Sequence, residues 1–237
     1  MKESDINVGL IRWEKNGAGA DLGQLEAMPG NLTNPESFNI QFLSEFVEGA
    51  NYRTIVTEPN PGTLDKMIKA AKQLKKRGAG FIVTSCGFNA IFNRELSDSV
   101  DIPVISSSLI QVPLVSSMIK SDQCIAIITA DKKHLTKKHL LNAGINDNIG
   151  YVIGGLDDSE EFQKINSDSA AELNVDKFTE EVLGIIEELI ISCGNIGAVV
   201  MECTDLPPFS DAVRKKFHLP VFDIVTLVNM VYETVRR

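Results

Sequence analysis

The chain has 237 residues, 43% of them hydrophobic, and a formal net charge of −9. That is ample material for a core in one large domain or two smaller halves. The acidic balance argues against a nucleic-acid surface, which would be basic. The opening Met-Lys-Glu-Ser-Asp lacks the apolar core of an export signal. The most apolar helical stretch, residues 182–191, is interrupted by Glu187 and Glu188, so no membrane span is expected. Four cysteines at scattered spacings then read as free thiols in a reducing compartment, and the expected location is cytoplasmic.

Residues 6–11 read as a first buried strand. Residues 12–35 carry Gly17, Gly19, Gly23, Pro29 and Gly30 without periodicity, the pattern of a binding loop or lid. A second strand is expected at 52–57, ended by Pro59 and Pro61. Residues 64–76 follow as a helix, with Leu64, Met67, Ile68, Ala71 and Leu74 on one stripe. Next come a strand ending before Cys86, a helix at about 89–99 and a short strand at 103–106. Ser106, Ser107 and Ser108 either line a pocket or cap a helix starting near Leu109. A strand at 124–129, a helix at 135–142 and a strand at 151–153 come next. A long amphipathic helix at 175–192 precedes a strand ending before Cys203. The chain closes with a helix at 207–217, a strand at 220–223 and a terminal helix. Alternating strands and helices imply parallel sheets with right-handed crossovers.

Two cysteines lie in matching surroundings. Cys86 sits in Phe81-Ile-Val-Thr-Ser-Cys-Gly-Phe-Asn89 and Cys203 in Ala198-Val-Val-Met-Glu-Cys-Thr-Asp-Leu206. One constant offset also aligns Gly80 with Gly197, Val83 with Val200, Phe92 with Phe209, Pro103 with Pro220 and Val104 with Val221. The chain therefore reads as two copies of a strand–Cys–helix–strand unit. The expected fold is α/β, with two pseudo-symmetric halves, each a short parallel sheet flanked by helices, and the active site in the cleft between them. The expected N-terminal half covers 1–108, completed by 222–237, and the C-terminal half covers 109–221. Each thiol would sit at the carboxyl end of its strand, where open parallel sheets bind ligands. Two opposed thiols can take a proton from one face of a carbon and return it on the other, which points to a racemase or epimerase. A helix N-terminus after each Cys would favour the thiolate. Asp205 and Asn89 are candidate caps for those helices. Asp205 is equally a carboxylate placed to accept or relay a proton.

These residues resemble the cofactor-independent aspartate/glutamate/hydantoin racemase superfamily across nearly the whole chain. The likeness is carried by Thr84-Ser-Cys-Gly-Phe-Asn89, Glu202-Cys-Thr-Asp-Leu-Pro-Pro208 and Ile127-Ile-Thr-Ala130. The resemblance implies that Cys86 and Cys203 are the acid/base thiols and that no cofactor or metal is needed. It also implies that hydroxyl and amide groups near them hold a substrate carboxylate, with Ser85, Gly87, Asn89, Thr129 and Thr204 as candidates and Asp205 beside them. Relatives often dimerise, so a homodimer is a candidate assembly. The pattern departs from the amino-acid racemases at three places. Gly87-Phe88 stands where they carry Asn-Thr, Asp205 where glutamate racemases carry His, and Arg12-Trp13-Glu14 where their first strand leads into Asp-Ser. Phe88 and Trp13 suit a more apolar or ring-shaped group, and Arg12 a carboxylate.

The expected activity is racemisation or epimerisation at a carbon next to a carboxylate or amide carbonyl of a small substrate such as an amino acid or hydantoin. The alternatives are a maleate-isomerase-like cis–trans isomerase with a Cys nucleophile, or a non-catalytic binding protein on the same scaffold. No dinucleotide or phosphate loop motif is present. His134 and His139 lack the helical metal-pair spacing. Cys124 and Cys193 have no repeat partner and read as packing residues.

Overall fold

The computed structural model describes residues 6–14, 22–168 and 170–236. The first half contains β1 (Asn7–Trp13), a short helix α1 (Gly23–Glu26), β2 (Phe42–Val47), α2 (Pro61–Lys76), β3 (Ala79–Thr84), α3 (Asn93–Asp98) and β4 (Val104–Ile105). α4 (Val112–Ser116) leads into the second sheet. There follow β5 (Cys124–Thr129), α5 (Lys137–Asn142), β6 (Tyr151–Gly155), α6 (Glu160–Ser167), α7 (Val175–Cys193), β7 (Ile196–Met201), α8 (Ser210–Phe217), β8 (Val221–Phe222) and α9 (Ile224–Val235).

The two sheets repeat one design. Their strand orders are β2-β1-β3-β4 and β6-β5-β7-β8, and every pairing is parallel. The register repeats as well: Val8 pairs with Phe81 as Ile125 pairs with Ala198, and Ile82 with Val104 as Val199 with Val221. A register shift occurs at the first residue of the central strand in both sheets, at Asn7/Val8 and at Cys124/Ile125. Helices cover both faces, so β3 and β7 are apolar runs with almost no exposed side chain.

One core cluster joins the halves, packing Ile11, Ile82 and Leu109 together with Ile125, Ile127 and Val200. The far face of the second sheet packs Ile128 and Val199 under Phe162, Phe178 and Val213 of α6, α7 and α8. Phe178 meets Phe209 edge-on at 4.9 Å; burying such a ring is worth roughly 1.5–3 kcal/mol. The far face of the first sheet packs Val8, Leu10, Phe81 and Val83 under Ile224, Leu227 and Val228 of α9. Asp223 caps α9, accepting from Thr226 N at 2.7 Å.

Three expectations need correction. Residues 52–57 are not a strand: Arg53–Thr57 form one π-helical turn that buries Ile55 and Val56. The second strand is instead β2, an edge strand of mostly half-buried residues without clean alternation. The third concerns the caps, since the Cys86 and Cys203 loops enter short 3-10 turns, Gly87–Phe92 and Pro207–Phe209, without a side-chain cap from Asn89 or Asp205. The glycines at 17 and 19 of the expected loop fall outside the described residues. The part of that loop that is described contains α1 and crosses to the other half. Leu25 is buried among second-half residues, and Gln24 bonds to Ala171 O and Leu173 N at 2.7 and 2.9 Å.

Candidate active site

Both cysteines stand immediately past a central strand, at the carboxyl edge of their sheets. β3 ends at Thr84, whose hydroxyl donates to Ser106 O at 2.8 Å and to Cys86 O at 3.1 Å, fixing the turn. Cys86 itself is extended, and the N–H groups of Phe88 and Asn89 reach its sulfur. β7 ends at Met201, and the N–H of Glu202 continues the sheet onto Ile128 O at 2.7 Å. Cys203 is buried, whereas Cys86 is half-buried.

The two cysteine loops are bonded to each other. Thr204 Oγ1 donates to Ser85 O at 2.7 Å. Ser108 Oγ donates to Met201 O and lies 3.4 Å from Glu202 O. Gly87 is in the same seam. A Cβ there would run into both the carbonyl and the carboxyl oxygen of Glu202, so glycine is what lets the loops close.

The seam is rich in acid. Glu202 is fully buried and accepts from Thr129 Oγ1 at 2.7 Å through one oxygen, while Oε1 has no partner among the described residues. Burial pushes its pKa up to about 8. Asp205 accepts from Asn31 Nδ2 at 2.8 Å, and burial pushes its pKa up to about 7. Asn31 is carried there by the segment that crosses from the first half. Burial raises both thiols well above their ordinary value, and nearby carboxylates add to this. Glu202 is the largest charge acting on Cys86, and Asp205 the largest acting on Cys203. Tyr52, the residue just before the π-helical turn, donates to Asp131 Oδ2 at 2.5 Å, and Asp131 also holds His134 Nδ1 at 2.6 Å. Burial, the bond to Asp131 and nearby negative charge, Cys86 included, raise the Tyr52 phenol.

Cys86, Ser85, Gly87, Thr129, Cys203, Thr204 and Asp205 thus meet in one seam. The hydroxyls of Thr129 and Thr204 are already committed within it, to Glu202 and to Ser85. Asn89 is buried beside them with Oδ1 unpartnered. Phe88 turns into the core and meets His139 edge-on at 5.4 Å, so its ring serves packing. Arg12 pairs with Glu26 at 2.6 Å and lies over Phe46, close enough to lower the Asp205 pKa. Glu202, Tyr52, Asp131 and Asn31 are absent from the sequence-level set. Glu202 alone had a local signal, a charged residue closing an otherwise apolar strand.

Two α/β halves of identical strand order, each presenting a cysteine at a strand end into a shared seam, define the pseudo-symmetric racemase-type fold. The family model for Asp/Glu/Hydantoin racemase matches residues 66–229, which include both cysteines, and the chain belongs to that family. An aspartate racemase homologue from Pyrococcus horikoshii OT3 has the same fold, with a TM-score of 0.58 at 17% identity over 96% of this chain and 99% of that one. Dimethylsulfoniopropionate lyase of Durusdinium sp. clade D is 31% identical over 204 residues, 84% of this chain and 67% of the lyase. Dimethylsulfoniopropionate lyase 6 of Emiliania huxleyi (strain CCMP1516) is 30% identical over 210 residues, 84% of this chain and 54% of that lyase. The chain therefore spans only about half the length of the Emiliania relative.

Proposed function

We propose that the protein removes the proton next to a substrate carboxylate with its thiol pair, and that the step ends in β-elimination from a substrate of the dimethylsulfoniopropionate type. In such a molecule the carbon beside the carboxylate carries the acidic hydrogen and the next carbon carries the sulfonium. A thiolate takes the hydrogen as a proton, and the electron pair left behind forms the carbon–carbon double bond. The carbon–sulfur bond then breaks with its pair going to sulfur, which leaves neutral dimethyl sulfide and acrylate. The thiol afterwards returns its proton to solvent.

One observation carries this choice of substrate, namely the charge balance of the seam. Glu202 and Asp205 stand beside the thiols and Asp131 acts on Glu202, while Arg12 and His134 are paired with Glu26 and Asp131. These carboxyl oxygens, neutral or ionised, offer partial negative charge to a substrate and so suit one whose other end is cationic. The named activity of the relatives points the same way. Racemisation or epimerisation is the second reading. It is favoured by the second thiol, which elimination does not require and which return of a proton on the opposite face does.

The test is release of dimethyl sulfide and acrylate from dimethylsulfoniopropionate by the wild type, Cys86→Ala and Cys203→Ala. Each thiol that moves the proton should cost about 10²–10⁴-fold in turnover when removed. If sulfide release is absent while aspartate, glutamate or hydantoins exchange their α-hydrogen, the racemase reading replaces this one.

A further inference from the structure

Glu202 is the best-placed group to which neither reading gives a part in moving the proton. Its carboxyl is sealed between the two cysteine loops, resting on the bare backbone of Gly87 and tied to Thr129. One of its oxygens has no donor among the described residues, and a buried carboxylate left in that state is costly. The titratable groups facing Cys86 come from two segments. They are Glu202, Cys203 and Asp205 on the loop after β7, and Tyr52 just before the π-helical turn. Those facing Glu202 are the two thiols and Asp131, with the Thr129 hydroxyl from the end of β5.

We propose that Glu202 is a positioning residue that gates the charge of Cys86: with Glu202 neutral the thiol can ionise, and with Glu202 ionised it is held as the thiol. The two groups share one seam, and a second negative charge there is opposed by the first. Gly87 belongs to the same device, because any side chain at that position would evict the carboxyl. The gate deepens the reading of Cys86 as a proton-carrying thiol and rests on it. Its test needs no substrate, so a failed gate and a failed elimination reading are separable.

The experiment is alkylation of the intact protein with iodoacetamide from pH 6 to 10, followed cysteine by cysteine with mass spectrometry and with Cys124 as internal reference. Glu202→Gln removes the charge and keeps the shape. Its Cys86 should react like the wild type below pH 7 and up to about tenfold faster above pH 8, where only the wild-type carboxyl ionises. Asp205 titrates alike in both proteins and cancels from the comparison. Thr129→Val is the second variant and carries the test if Glu202→Gln does not fold. Without the hydroxyl bond Glu202 stays neutral to higher pH, so Cys86 should gain reactivity near pH 8 there too. Coincident profiles, or a change uniform across pH as a purely structural role would give, overturn the gate.

Discussion

At the scale of single residues, the seam around the thiols stores ionisable groups against their solution preferences. Glu202 moves from 4.5 to about 8 and Asp205 from 3.8 to about 7, so both hold protons in the folded protein that the unfolded chain would release. Their contribution to stability is complete below the unfolded values and is lost as pH rises through the folded ones. Unfolding free energy should therefore fall between about pH 5 and pH 8, by on the order of a few kcal/mol. His139, lowered to about 4, works in the opposite sense, costing stability as pH falls from 6.5. Urea titrations across this range should show the decline, and Glu202→Gln should flatten its upper part. A curve that rises toward pH 8 would contradict the assignment of buried neutral acids. Gly87→Ala tests the packing of the same seam. The added methyl meets a backbone carbonyl as well as a side chain, so it should cost about 1–3 kcal/mol in denaturant titrations, as overpacking does.

At the scale of elements, the crossing segment around α1 links the first half to the acid beside Cys203. Leu25 anchors it in the second-half core and Asn31 holds Asp205. Asn31→Ala should leave the fold in place at a cost of about 1–2 kcal/mol. It should also raise Asp205 further, because the lost bond is the largest influence that lowers it, ahead of the Arg12 charge. The acidic limb of any pH–rate profile that depends on Asp205 then moves upward in pH, and an unmoved limb would detach Asp205 from the chemistry. The elements misread in the sequence share a physical cause. Thr54, Ile55, Val56 and Thr57 have strand-like composition, yet the Thr54 hydroxyl bonds back to Gly49 O at 2.5 Å and Asn51 Oδ1 takes Thr54 N at 3.2 Å, closing a turn. β2 is not legible in the sequence because an edge strand with two half-wet faces carries no sharp period. α6 shows in the sequence only at its start, where Ser159 is an N-cap residue and accepts from Phe162 N at 3.1 Å.

At the scale of the whole molecule, duplication explains both what could be read and what could not. The repeated strand–Cys unit, with one thiol at each strand end, follows from one offset in the sequence, because local patterns specify each half; the strand order does not, since β2 carries no legible strand pattern. The acids beside the thiols sit on one loop, after β7, and break the repeat: Glu202 aligns with Ser85, and Asp205 with Phe88. Their importance arises only when the halves close on each other, and no spacing rule within one strand announces it. The same closure bonds Thr204 to Ser85 and Ser108 to Met201, so the seam is at once the interface between halves and the candidate site.

The most direct measurement is proton NMR of dimethylsulfoniopropionate incubated with the protein in D2O, read at the carbon beside the carboxylate and in the acrylate region. Wild-type protein should produce acrylate and dimethyl sulfide, and removing the thiol that takes the proton, by Cys86→Ala or by Cys203→Ala, should suppress this by at least about 10²-fold. Acrylate formed at an undiminished rate by both variants, or neither elimination nor α-deuteration of this substrate and of aspartate, glutamate and hydantoin, would contradict the account.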